Sequence, residues 1–390
     1  METVILAIGL GSMRTLFCRF LSCVNRIIPK SNNHISIYGR RMLNDNIEAI
    51  LDHLITRHYN EKYTIHLLIH SSVWHEGYKG LLNVDICTNP LRTFWVLFRS
   101  KYVLHTQKMS ICTMKPSGGQ IIFNLWHGSP LKAIGKMIGH PVNPETDTYF
   151  LSTSPFWASI NEKCFGHTQG QMFIGSNPRN DLLFNKIDTN VLIPASNGKK
   201  VILFMPTFRN SVELGRHDAQ KDFPLLTSEN INSFDDFLSK KNLMLIIKPH
   251  PYQNKIDFLS NPYKNIKVIF NKDLKQLGIK LYELLGRGDA LITDFSSVYF
   301  DYLLLDRPIG FAIDDMENYA VNRGYTVEDP LSIMPGPKIK DMEGLKKFVC
   351  DIVDGVDNYR EERYKINDLV NTYKTGDACQ RILDFIEIRK

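Results

Sequence analysis

Short apolar runs alternate with segments of helical period along most of this chain. Runs of strand length fall at 34–38, 63–69, 102–105, 120–125, 148–152 and 172–175, and a second series at 201–205, 243–247, 266–270, 290–292 and 308–313. Between them, 45–57, 233–239, 274–285 and 296–305 repeat apolar residues at helix spacing. Strands that alternate with helices predict parallel sheets covered on both faces. Two such series predict an α/β protein of two Rossmann-like, doubly wound domains, and 390 residues suits two cores better than one. The joint is placed at 189–200, where Pro, Gly, Ser and Asn gather just before a new strand. It separates an N-terminal domain, 31–190, from a C-terminal domain, 198–390, whose tail predicts helices at 342–353, 359–373 and 377–388.

The first thirty residues stand apart. Leu16, Phe17, Phe20, Leu21, Val24, Ile27 and Ile28 fill one face of a helix, with Arg19 and Arg26 nearly opposite. A basic amphipathic helix over 1–30 either lies in a membrane interface or packs on its own domain. Charges interrupt the opening apolar run well short of the ~20 residues that span a bilayer. Glu2 and the lack of a small-residue cleavage site argue against a secretory signal.

Composition narrows the class. Hydrophobic residues make up 43% and charged residues 23%, which excludes wholesale disorder. The net charge of +6 suits acidic partners, but no block of consecutive basic residues or aromatic-basic RNA signature is present, so nucleic acid is not expected as a partner. Seven cysteines without a Cys-x-x-Cys pair predict neither a disulfide framework nor a structural zinc site, and they read as buried hydrophobes of a reducing compartment.

Candidate chemistry collects at the carboxyl ends of predicted strands, where doubly wound sheets bind ligands. His127, in Trp126-His127-Gly128-Ser129-Pro130-Leu131-Lys132, is held on a short loop. It is either a general base, a role worth about 10²–10⁴ in rate, or a structural histidine on a carbonyl. Lys248-Pro249-His250-Pro251 sets a cation and an imidazole on a backbone stiffened by two prolines, suited to charge on a leaving phosphate or to a simple turn. Thr207 and Arg209 offer a hydroxyl and a guanidinium beyond another strand, the latter matched to phosphate oxygens or to a surface ion pair. In Thr293-Asp294-Phe295-Ser296-Ser297, two serines open a predicted helix, as a phosphate site, an N-cap, or both. Asp294 beside a phosphate is repulsive unless it is protonated, orients a histidine or takes a proton. Gly-x-Ser-x-Gly and Gly-x-x-x-x-Gly-Lys-Ser/Thr motifs are absent, and phosphate charge is expected to be met without a metal or other cofactor.

Taken in order, these motifs resemble the CDP-glycerol glycerophosphotransferase family of teichoic acid and capsule synthesis. The match runs from Trp126–Lys132 through Asn177-Pro178-Arg179-Asn180-Asp181, Pro206-Thr207-Phe208-Arg209, Lys248–Pro251, 291–297 with Asp301-Tyr302, and Arg307-Pro308. Asn322-Arg323-Gly324-Tyr325 and Met334-Pro335-Gly336-Pro337 extend it, so that it covers roughly residues 30–380. The resemblance implies a GT-B architecture, two Rossmann-like domains facing across a cleft, with CDP-glycerol as donor and no metal. It implies a polyprenyl-linked glycan acceptor, and therefore a peripheral enzyme on an anionic membrane surface at the cytoplasmic face. By the same transfer, His127 deprotonates the acceptor hydroxyl and His250 stabilises the diphosphate as CMP departs. Ser296, Ser297, Arg209, Thr207 and Lys248 are placed at the donor phosphates, Trp126, Ser129 and Lys132 on the acceptor side, and Asp294 in the catalytic set. The competing expectations are a GT-B glycosyltransferase using a nucleotide sugar, which would release a nucleoside diphosphate, and a non-catalytic binding protein of the same fold.

Overall fold

The computed structural model describes residues 19–39, 45–69, 76–107, 115–185, 198–207, 210–211, 216–217, 223–250, 256–314 and 324–390. The chain divides into two compact units. Unit 1 comprises Met1–His127, Gly139–Asp181 and Asp377–Lys390; unit 2 comprises Gly128–Ile138 and Leu182–Gly376.

Unit 1 is built on seven parallel strands: β1 (Ser31–Gly39), β2 (Thr64–Ile69), β3 (Val84–Cys87), β4 (Ser100–His105), β5 (Ile121–Asn124), β6 (Tyr149–Ser152) and β7 (Met172–Ile174). Their order is β3-β2-β1-β4-β5-β6-β7. Unit 2 carries β8 (Lys200–Phe204), a two-residue hairpin of β9 (Asn210–Ser211) and β10 (Arg216–His217), then β11 (Leu243–Ile247), β12 (Ile266–Val268), β13 (Ala290–Thr293), β14 (Ile309–Ala312) and β15 (Lys338–Ile339). Its parallel sheet runs β12-β11-β8-β13-β14-β15. Both sheets have the doubly wound order in which strand numbering reverses beside the first strand, and ligands bind at that reversal. The reversals lie between β1 and β4 in unit 1 and between β8 and β13 in unit 2.

The periodic segments fold largely as expected, with instructive exceptions. Asp45–Thr56 is one helix, but the expected helix over 274–285 is two, Asn271–Gln276 and Leu281–Leu285, separated at Gly278, whose φ of 65° suits glycine. The expected helix over 296–305 is a short one, Val298–Tyr302, running into a 3-10 turn, Leu303–Leu305. The β3 strand and the helices Pro90–Arg99 and Pro155–Phe165 were not anticipated. Both of those helices begin at a proline behind a capping side chain, Asn89 and Ser154 respectively. The expected joint at 189–200 lies mostly outside the described residues. Asp377–Lys390, expected with the second domain, belongs to unit 1. Asp181 accepts the amides of Ala378 and Cys379, and Phe385 packs against Phe123, Tyr149 and Phe173.

Of the N-terminal segment, 19–27 is helical and 1–18 lie outside the described residues. Its apolar face divides. Leu21, Val24 and Ile28 join Phe94, Val96, Leu97 and Phe98 in a core over the unit 1 sheet, whereas Phe20 is 62% and Ile27 79% exposed. No helix among the described residues is long and apolar enough to cross a membrane. The described cysteines form no disulfide with one another; Cys87, Cys164 and Cys379 are buried, Cys350 half-buried and Cys23 exposed.

Candidate active site

In unit 1 the candidate centre is the loop that follows β5. Trp126 has φ of 48° and Gly128 of 124°, so His127 is flanked on both sides by left-handed backbone. That backbone is held by neighbours. Asn46, 1% exposed, donates to the carbonyls of Leu125 (3.2 Å) and Trp126 (3.0 Å), while Arg179 Nη1 donates to the His127 carbonyl (3.0 Å). The Arg179 amide in turn donates to Asn46 Oδ1 (3.3 Å), so one clamp fixes three successive carbonyls. Below the loop, Asn124 Oδ1 accepts the Trp126 amide and its Nδ2 donates to Asp147 Oδ2, both at 3.0 Å. Asp147, 6% exposed, also accepts from His105 Nε2 (3.0 Å) and His167 Nε2 (2.9 Å). Burial alone would raise its pKa; attraction to His105 and the hydrogen bonds of His105, His167 and Asn124 hold it far below the usual range.

The His127 ring itself is oriented. Its Nδ1 lies 3.2 Å from the Thr106 carbonyl, so Nδ1 carries the proton and Nε2 presents the lone pair. Trp126 stacks on it with ring centroids 3.8 Å apart. Surrounding protein, then the Arg179 charge, push the pKa down toward about 4 against the Thr106 bond. The residue's exposed surface tempers that fall, and the direction leaves a neutral imidazole at pH 7.

In unit 2 the motifs meet at the strand reversal. Asp294, with no exposed surface, accepts the Thr207 amide and hydroxyl, both at 2.8 Å, and the Ser296 amide at 3.2 Å. It therefore ties the end of β8 to the end of β13. The sequence placed Asp294 in the catalytic set; its geometry is that of a positioning residue. Thr207 was expected at the phosphates, yet its amide and hydroxyl protons both point to Asp294, which leaves only its lone pairs. Ser296 and Ser297 are half-buried. Neither hydroxyl caps the following helix, and Ser297 already has helical backbone.

His250 is half-buried, and burial followed by the charges of Lys132 and Lys248 pushes its pKa to about 4. Lys248, 4% exposed, donates to the Pro249 carbonyl at 3.0 Å. Lys132 was expected on the acceptor side. It lies in unit 2 with Ser129, which is 7% exposed, and pairs antiparallel with Tyr325. Tyr325 packs against Phe295 at 5.6 Å, and burial together with the Asp294 charge raises its phenol pKa. Thus Lys132, Lys248, His250, Asp294 and Tyr325 converge in one unit. Arg209 lies outside the described residues.

Other motif residues hold the fold. Asp301 accepts from Tyr282 (2.6 Å), Tyr302 donates to Gly288 (2.6 Å), and Arg307 to the carbonyls of Gly286 and Gly288. A side chain at Gly336 would collide with the Ile309 carbonyl. The clamp of Asn46 and Arg179 and the network of Asp147, His105 and His167 were missing from the sequence-derived site. Arg179 stood in a matched motif, but nothing in its spacing, or in that of Asn46, pointed to the His127 loop.

Two Rossmann-like sheets, with motif residues on the loop after β5 in unit 1 and at the strand reversal in unit 2, define a GT-B-like fold. The chain belongs to the CDP-glycerol:poly(glycerophosphate) glycerophosphotransferase family, whose model matches residues 21–388. It is 28% identical to a teichoic acid glycerol-phosphate primase of Bacillus subtilis (strain 168) over 88% of this chain and 89% of that one. It is 26% identical to a teichoic acid poly(glycerol phosphate) polymerase of Bacillus spizizenii over 95% and 97%. A teichoic acid ribitol-phosphate primase of Bacillus spizizenii is 27% identical over 68% and 69%. Among solved structures, the wall teichoic acid polymerase TagF superposes with a TM-score of 0.73 at 19% identity, over 99% of this chain and 98% of that chain. A putative UDP-N-acetylglucosamine 2-epimerase from Listeria monocytogenes shares the fold more distantly, with a TM-score of 0.54 at 14% identity over 90% and 95%. The protein is thus a CDP-glycerol glycerophosphotransferase, a transferase of glycerol phosphate or a related polyol phosphate in teichoic acid synthesis.

Proposed function

We propose that His127 is the general base of this transfer and that His250, with Lys248, Lys132, Ser296 and Ser297, receives the donor diphosphate. The acceptor hydroxyl attacks the β-phosphorus of CDP-glycerol and gives its proton to His127 Nε2, while the bond to the CMP oxygen breaks. The observation that carries this is the orientation of His127: Nδ1 anchored on Thr106, Nε2 presented, and the loop carbonyls clamped by Asn46 and Arg179. A neutral imidazole positioned in advance is what proton abstraction at pH 7 requires. Transfer of a phosphoryl group leaves most of the remaining catalysis to placement and charge stabilisation. In unit 2 that charge is met by lysine, imidazole and hydroxyl groups.

The acceptor we propose is a polyprenyl-linked glycan at the cytoplasmic face of the membrane. Around the core shared by helix 19–27 and Pro90–Arg99, Phe20, Ile27, Leu91 and Trp95 are exposed together with Arg19, Arg26, Arg92 and Arg99. Exposed apolar side chains and arginines on the same two helices suit an anionic lipid surface.

Incubation with CDP-polyols and lipid-linked acceptors, followed by mass spectrometry, tests the reaction and names the polyol. Release of CMP is expected; release of a nucleoside diphosphate from a nucleotide sugar would instead establish a glycosyltransferase. His127→Ala and His250→Ala should each lower turnover by at least ~10². Turnover like the wild type in both would remove the mechanism.

A further inference from the structure

A second group of chemically capable side chains lies in unit 1, outside the loop of His127. Register places His66 of β2 opposite Asp85 of β3, and Leu68 opposite Cys87, so His66, Asp85 and Cys87 share one sheet face. Their potential ligand atoms all lie within 4.8 Å of one another. His66 Nδ1 is 3.0 Å and Cys87 Sγ 3.1 Å from the same oxygen, Asp85 Oδ2. On its other side, His66 Nε2 lies 3.2 Å from Nδ1 of His34, on β1. Arg92 holds the second Asp85 oxygen at 2.8 Å.

We propose that His66 Nδ1, Asp85 Oδ2 and Cys87 Sγ form a binding site for a divalent transition metal of the zinc class, with the fourth position left to water. Nitrogen, oxygen and sulfur bind zinc at about 2.0–2.3 Å, which sets tetrahedral ligands roughly 3.3–3.6 Å apart, so the three atoms need to part by only a few tenths of an ångström. Two anionic ligands neutralise the dication, and the mixed donor set selects zinc over magnesium or calcium. His34 is the orienting partner: when His66 Nδ1 binds the metal, its Nε2–H donates to His34 Nδ1. The protons balance. Each imidazole keeps one by changing tautomer, and the thiol proton is the one released. Burial holds both imidazoles neutral, as ligands must be, and raises the thiol to about 12, so the thiolate forms only as the metal replaces its proton. Cys87 is fully buried, and the ion reaches the site past Asp85 and His34, which are partly exposed. The product is a staple: β3 is four residues long, lies at the sheet edge and pairs only with β2. The other cluster, His53, Asp181 and Cys379, is a poorer candidate, because both Asp181 oxygens accept backbone amides.

The test uses the full chain, reduced and stripped with a chelator, then titrated with Co²⁺. One equivalent should bind with the visible bands of a tetrahedral ion and a sulfur-to-cobalt charge-transfer band, and Zn²⁺ should displace it and raise Tm. Cys87→Ala should lose the charge-transfer band, and Cys379→Ala should keep it. His34→Ala, at a partly exposed position, should keep the band while weakening cobalt binding about 10–100-fold; it serves also where Cys87→Ala does not fold. The proposal is overturned by a wild-type chain without the band, by its survival in Cys87→Ala, by its loss in Cys379→Ala, or by unchanged affinity in His34→Ala.

Discussion

His127, the base we propose, owes little of its placement to its own side chain. Its ring direction comes from the Thr106 carbonyl, its backbone from Asn46 and Arg179, and its neutrality from surrounding protein and the Arg179 charge. The pH dependence follows in sign. A base must be neutral, and a depressed pKa keeps it so as pH falls, so the acid limb of kcat/KM should lie below the usual histidine value of 6.5, toward about 4. Arg179→Gln removes a positive charge that opposes protonation, so it should move that limb upward while lowering kcat. Arg179→Lys keeps the charge without the fork and should lower kcat with the limb in place. A pH–rate series on the three proteins, with Tm recorded alongside, separates this from a purely structural role, which would shift Tm alone. The histidine and its motif were legible in the sequence because a strand end, a glycine and a proline are local features. Its supports were not, since Asn46, Thr106 and Arg179 come from three distant parts of the chain.

At the scale of elements, the alternation of apolar runs and helical periods located eleven of the strands, because buried parallel strands are continuous in hydrophobicity. It missed β3, whose Val-Asp-Ile-Cys sequence mixes polar and apolar residues as an edge strand can. It also missed the break at Gly278, where periodicity carried through a turn. The junction of β5 with β6 shows what holds neighbouring elements once they form. Asp147 precedes β6 and gathers Asn124 at the end of β5, His105 at the end of β4, and His167. Replacing it by asparagine takes a shared acceptor oxygen from this buried network. Asp147→Asn should cost about 1–3 kcal/mol, the range for leaving a buried hydrogen-bonding group unsatisfied. Urea denaturation measures this, and a loss below about 0.5 kcal/mol, the scale of an ordinary surface change, would show that the network holds nothing together.

For the whole molecule, the membrane attachment we propose is a property that single residues cannot supply. Helix 19–27 splits its apolar face, with Leu21, Val24 and Ile28 packed inward, as one expectation for that segment had it, and Phe20 and Ile27 outward. The outward set gains Leu91 and Trp95 from a helix seventy residues further on, and Arg99 lies 5.7 Å from the Trp95 ring. The combined variant Phe20→Ser, Ile27→Ser, Trp95→Ser should lose sedimentation with phosphatidylglycerol vesicles and keep its Tm. Wild-type sedimentation on neutral phosphatidylcholine vesicles should be weaker from the start. Equal binding to both lipids would remove the electrostatic part of this proposal.

The route of the chain has one more outcome. Phe385 sits among Phe123, Tyr149 and Phe173, so the first Rossmann-like sheet is sealed by a helix translated some two hundred residues after its last strand. A ribosome therefore makes all of the intervening chain before that sheet can finish burying its aromatic surface. The usual order, in which N-terminal domains mature first during synthesis, is suspended here. The second sheet can mature while the first is still waiting, and a nascent chain stalled before residue 377 should remain sensitive to protease in its N-terminal half.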